Sequence, residues 1–223
     1  MDYRIISIGT LSHHELWPVE ATARTAHATT TLIRSSGHTI LVDPALPKQV
    51  LVARLAERAG IGPSEVTHVF LTNFRPAHRW GLPAFTDARW LISEMERETI
   101  GKHLIEQLKE SQDRSTQDVL KQEIALLNRC EAAPDRLADQ VDLFPLPGYT
   151  QGTCGLLLSQ MNSTALIAGD AVATEEHLNQ GRVLRGALDV AQARESLAEV
   201  VEIADVVVPG HDNVLLNPTR RRI

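Results

Sequence analysis

The sequence predicts a mixed α/β (α+β) domain, and three observations carry that expectation. Short β-branched or alternating runs recur along the chain, longer stretches place apolar side chains at helical spacing, and clusters of Gly, Pro and Ser separate one from the next. The N-terminal MDYRIISIGTL alternates as a strand does. ATTTLI at 28–33 and HTILVD at 38–43 flank Ser35, Ser36 and Gly37, the pattern of a hairpin, so the sheet starts antiparallel. Pro44 and Pro47 then interrupt, and 48–59 sets Val50, Leu51 and Leu55 at helical spacing before Gly60 and Gly62 end the run.

VTHVFL at 66–71 is a compact apolar strand that feeds a polar loop, TNFRPAHRWG, and a strand leading into such a loop is a favoured place for function. ARWLI at 88–92 is a further strand. A Glu-, Gln-, Lys- and Leu-rich stretch follows, which reads as a helical insertion at about 93–134, broken near Ser111 to Ser115 and closed by Pro134. Ile100, Leu104, Ile105 and Leu108 give its first helix one apolar face. Strands return at 140–145, 154–158 and 164–168, then a helix at 190–203 and a strand at 205–208 running into Pro209, Gly210 and His211. With no repeat or low-complexity linker, 1–223 is expected to form a single domain.

Composition excludes several functional classes. Hydrophobic residues make up 43% and charged residues 22%, which suits a globular chain with a real core. Lys and Arg total 22 against 28 Asp and Glu, a formal charge of −6, so no basic field gathers nucleic acid. The basic Arg220, Arg221, Arg222 tail reads as a solvated end. No apolar run spans a bilayer and the N-terminus lacks a secretion signal, which predicts no membrane partner and a cytoplasmic location. Cys130 and Cys154 lie far apart without CxxC and read as free thiols. No GxSxG, SxxK or Gly-rich phosphate loop is present, which leaves serine nucleophiles and nucleotide binding without support.

Four regions, taken in order, resemble the signposts of the metallo-β-lactamase superfamily. TILVDPALP (39–47) is similar to the strand that ends in an aspartate. VTHVFLTNFRPAHRWGL (66–82) resembles the strand and metal loop usually written THxHxDHxGG. LPGYTQGTCGLLL (146–158) and LIAGDAV (166–172) stand where the family has PGHTPGH and the strand of the bridging aspartate. ADVVVPGHD (204–212) is similar to the segment of the last metal histidine. The resemblance implies a four-layer αββα sandwich with its site on the loops at one edge.

It also implies a degenerate site. The first metal's histidines correspond to Asn73, Arg75 and Tyr149, and a weak amide ligand, a guanidinium without a lone pair and a neutral phenol do not replace imidazole. For the second metal, the motif aspartate is Ala77, whereas His78, the bridging Asp170 and His211 remain, a two-histidine, one-carboxylate set able to hold one divalent ion, zinc first. The competing reading is a hydrogen-bonded remnant without metal, in which Arg75 pairs with Asp170 in place of the lost charge. Asp43 is implied as a buried support for loop 73–78. His13, His14 and His27 are groove candidates, with His13, His14, Asn73 and Arg75 the expected ligand-contacting set. His68 reads as packed, and His38, His103 and His177 as surface residues.

Three functions compete. The leading expectation is a non-catalytic member that binds a small molecule in its cleft. The second is a one-ion hydrolase of an ester, thioester or lactone bond, with Tyr149 donating to the developing oxyanion beside Asp170 and His211. The third is a metal-free enzyme with a histidine base oriented by Asp170. The 93–134 stretch is the expected dimer contact or cleft cover.

Overall fold

The strands assemble into two six-stranded sheets in a computed structural model that describes residues 1–15 and 24–220. In the first sheet β1 (Asp2–Ser7), β2 (Thr30–Ser35) and β3 (His38–Val42) run antiparallel. β4 (His68–Leu71), β5 (Arg89–Ile92) and the short β6 (Glu131–Ala132) are then added in parallel. Parallel neighbours need crossovers. They are supplied by α1 (Lys48–Ala59), the single-turn α2 (Pro76–Arg79), and the pair α3 (Glu94–Glu110) and α4 (Arg114–Arg129).

In the second sheet β7 (Arg136–Ala138), β8 (Val141–Pro145), β9 (Cys154–Ser159) and β10 (Thr164–Gly169) form an antiparallel meander. After α5 (Glu175–Gln180) and α6 (Val190–Ile203), β11 (Val206–Pro209) lies parallel to β10, and β12 (Leu215–Leu216) closes the edge.

The period of two along each strand sorts side chains into layers. Ile40, Val42 and Phe70 from the first sheet meet Leu156, Ile167 and Val208 from the second, filling the space between the sheets. Their neighbours Leu41, Val69 and Leu71 face outward and pack under Leu51 and Leu55 of α1 and Leu104, Leu120 and Leu127 of α3 and α4. Leu166 and Val207 face the opposite way, under Leu197 and Val200 of α6. Burial on both faces of both sheets is the four-layer αββα architecture.

Differences from the sequence reading are local. Val50 and Ile105, expected on the apolar helix faces, are 47% and 45% exposed, because each lies one position beside the stripe that meets the sheet. His177 is buried rather than on the surface, since α5 folds it against His14. His68 is only half-buried, at the start of β4. The 93–134 stretch, read as an insertion, packs on the first sheet as part of its outer layer. Arg220 approaches Asp205 at 3.4 Å, while Arg221 and Arg222 lie outside the described residues. Both cysteines are free and buried. Among the described residues no helix is long and apolar enough to cross a membrane.

Candidate metal centre and cleft

The C-terminal ends of β3, β4, β10 and β11 lie side by side, and each delivers one residue to a common point: Asp43, His78 on α2, Asp170 and His211. Two close backbone approaches make this possible. A Cβ on Gly169 would stand 2.7 Å from Thr72 Oγ1, and one on Gly210 would stand 2.8 Å from the Gly169 carbonyl carbon, so neither position accepts a larger residue without movement. Asp43 itself has φ 47°, a conformation aspartate tolerates better than most residues. Its carboxylate accepts from the Thr72 amide (2.9 Å) and hydroxyl (2.7 Å), and lies 3.0 Å from His78 Nδ1.

Asp170 is the hub. His78 Nε2 is 3.1 Å from its Oδ2 and His211 Nε2 is 2.9 Å from its Oδ1. On the far side of each ring, His78 Nδ1 is engaged by Asp43 and His211 Nδ1 donates to the His27 carbonyl at 3.0 Å. All three residues are buried, and their nearest ligand atoms fall within 4.8 Å of one another. Each Nε2 therefore faces an acceptor oxygen, and each contact needs either a proton or a cation. With the outer nitrogens fixed and the inner ones converging, the donor set fits a single divalent ion.

Electrostatics favour the proton-filled form of the centre. Burial opposes charge on His78, but Asp170 and Asp43 on its two sides push its imidazolium up to about 10. Burial would likewise raise Asp170, yet His78 and His211 hold its carboxyl well below the usual carboxylate range. In the proton-filled form, His78 is a cation bridging two carboxylates, and an ion must displace its inner proton to bind.

The other half of the site does not fit a metal. The Arg75 amide donates to Asn73 Oδ1 at 3.0 Å, which turns Nδ2 toward Asp170 Oδ2, 2.9 Å away. The amide thus presents hydrogens where a ligand would present a lone pair. The Arg75 guanidinium does not pair with Asp170, contrary to the expectation from sequence. It donates to the Tyr149 hydroxyl and lies over that ring, 4.7 Å from the centroid. The physical reason is that Asn73 and the two histidines already occupy both oxygens of Asp170. Ala77 offers no ligand atom.

A cleft of about 780 Å³ opens above this centre, lined by Arg75, Tyr149, His78, Asp170 and His211, with His13, Trp80 and Arg185 at its walls. His14 does not line it: the ring is buried and its Nε2 lies 2.8 Å from Thr174 Oγ1. His27 contributes its carbonyl rather than its ring. Asn73 is fully buried beneath the cleft, among its supports.

Sequence reasoning passed over Glu96 altogether. Its Oε1 accepts from the Phe74 amide (3.0 Å), and its Oε2 from the Thr150 hydroxyl (2.6 Å) and Gly152 amide (3.2 Å), tying the loop of Asn73 and Arg75 to that of Tyr149. Burial raises its carboxyl despite those bonds. The only signal was a Ser93-x-x-Glu96 helix start, which normally denotes local capping.

A family model described as the metallo-beta-lactamase superfamily matches residues 24–211. No curated protein matches the chain. Among solved structures, a Thermotoga maritima protein described as a metallo-beta-lactamase aligns with TM-score 0.69 at 17% identity, over 96% of this chain and 98% of that one. AidC, a dizinc quorum-quenching lactonase seen with its product N-hexanoyl-L-homoserine, aligns with TM-score 0.62 at 19% identity, over 78% of this chain and 67% of that one. A mutant of B. thuringiensis AiiA with N-decanoyl-L-homoserine at its active site aligns with TM-score 0.64 at 18% identity, over 94% of this chain and 92% of that one. At these identities the structures speak for the fold, and the family match, spanning most of the chain, establishes that this protein belongs to the metallo-β-lactamase superfamily.

Proposed function

We propose that this chain uses the superfamily's cleft to bind a small molecule and has left two-metal hydrolysis, with at most one ion, zinc by donor chemistry, at His78, Asp170 and His211. The observation that carries the reading is the replacement of one half of the site by hydrogen-bond donors. Asn73 donates to Asp170, and Arg75 is paired with Tyr149, so three positions that would bind a cation instead supply an amide, a fixed positive charge and a phenol. A second cation beside Arg75 would meet like charge in a partly desolvated cleft. The protein is expected to act in the cytoplasm, with no nucleic-acid or membrane partner.

One observation favours a second reading, hydrolysis of an ester, thioester or lactone with a single ion. The Nε2 atoms of His78 and His211 converge on one carboxylate with both outer nitrogens held, an arrangement that could hold a metal ion. An ion there would supply Lewis acidity toward a carbonyl oxygen. Tyr149 accepts from Arg75, so its own hydroxyl proton is available to stabilise negative charge on a bound substrate. Lactones enter the substrate panel because AidC, a structural neighbour, is a lactonase.

The two readings separate in one assay series. Purified protein is given simple aryl esters, thioesters and lactones, with zinc and after chelation. The binding-protein reading expects no turnover above background in either condition; zinc-dependent turnover that chelation abolishes would replace it with the hydrolase.

A further inference from the structure

We infer that Arg75, Tyr149 and Arg185 form an anion site on the vacated side of the centre, and that its ligand is a small carboxylate with an apolar arm. The inference rests on the binding-cleft reading above. Among the described residues neither Arg75 nor Arg185 has a carboxylate within ion-pair distance, and what distinguishes them from the other arginines without one is that both line the cleft. Both arginines line the same cleft, together with His13. The acidic group at its base, Asp170, has its two oxygens taken by Asn73, His78 and His211. In a chain of formal charge −6, two guanidinium groups without a carboxylate partner among the described residues thus face one cleft.

Arg75 is also held in place. Its backbone caps α2, its guanidinium stacks on Tyr149 and one arm donates to the phenol oxygen, leaving the remaining donors for a ligand. A guanidinium fixed in this way suits the planar, two-oxygen geometry of a carboxylate.

The apolar arm follows from what lies behind the pair. Arg75, Tyr149 and Gly186 line a second cavity of about 430 Å³, whose other walls combine Ile100 and Leu188 with the polar Thr99, His103 and Gln151. Glu96 faces it too, but both carboxylate oxygens are occupied by Phe74, Thr150 and Gly152. The Arg75–Tyr149 pair is thus a shared wall between the cleft and a second cavity of mixed lining, whose Ile100 and Leu188 would take the ligand's hydrocarbon while the guanidinium takes its charged head.

Titration calorimetry on the full chain tests this with octanoate, octanamide and inorganic phosphate. Octanoate is expected to bind at least about tenfold more tightly than the uncharged octanamide, and Arg75→Gln to weaken octanoate by about the same factor, the worth of a charge-assisted hydrogen bond. Arg185→Gln, on an exposed segment, tests the charge without risk to the fold and should weaken octanoate by a smaller factor. Equal binding of octanoate and octanamide, indifference to both substitutions, no octanoate binding at millimolar concentration, or binding of phosphate in its place would each overturn the assignment. Should octanoate fail while the protein holds at most one ion and hydrolyses nothing, the binding-cleft reading stands and only the carboxylate is lost. Two ions per chain would remove the reading itself.

Discussion

Asp43 shows how a single residue supports the centre without facing the cleft. It holds the Thr72 amide and hydroxyl and the outer nitrogen of His78 while fully buried. Removing it strands two buried donors and takes one carboxylate from the His78 imidazolium. Asp43→Ala is expected to cost about 3 kcal/mol in urea unfolding and Asp43→Asn less, because the amide still accepts one bond. A loss under about 1 kcal/mol for the alanine would show that His78 does not depend on it. This support was legible from the strand ending TILVD, but the partner of Asp170 was not. Sequence suggested Arg75, which stands where a ligand of the first metal would point inward. The structure uses Asn73, whose short side chain is aimed by the Arg75 amide, and a backbone bond of that kind leaves no trace in residue type.

At the scale of elements, β3, β4, β10 and β11 and the long helices were legible because their apolar periodicity is strong and their caps are conventional: Ser93 accepts from the Glu96 amide, and Asp113 from that of Thr116. The single-turn α2, the six-residue α5 and the short strands β6, β7 and β12 carry too few residues for a period to register. That is also why His177 was misplaced. The role of α3 was hidden for another reason: a polar first turn reads as solvated, yet Glu96 turns inward to join two loops of the cleft. Glu96→Ala should cost about 2 kcal/mol and speed hydrogen exchange at the Phe74 and Gly152 amides, since both lose their acceptor. Unchanged exchange at both would mean that the loops hold without it.

For the whole molecule, acid sensitivity follows from a second buried histidine pair. His14 and His177 lie 4.6 Å apart by ring centroids, and among the described residues the buried His177 Nε2 has no hydrogen-bond partner. Burial first, and His14 second, lower the His177 imidazolium to about 4. The unfolded chain binds this proton near 6.5, so the contribution to stability is complete above that pH and falls as pH drops toward 4. His177→Gln should flatten unfolding free energy across that window, and an unaltered slope would assign the acid loss to other groups.

The four layers come with the superfamily; the reading proposed for this chain is that one half of its centre, at Asn73, Arg75 and Tyr149, supplies hydrogen-bond donors in place of metal ligands. Elemental analysis after saturation with zinc and removal of excess tests that most directly. The account predicts no more than one ion per chain, lost in His211→Ala, and a rise toward two when Asn73, Arg75 and Tyr149 are all changed to His. Two ions in the unmodified protein would contradict it.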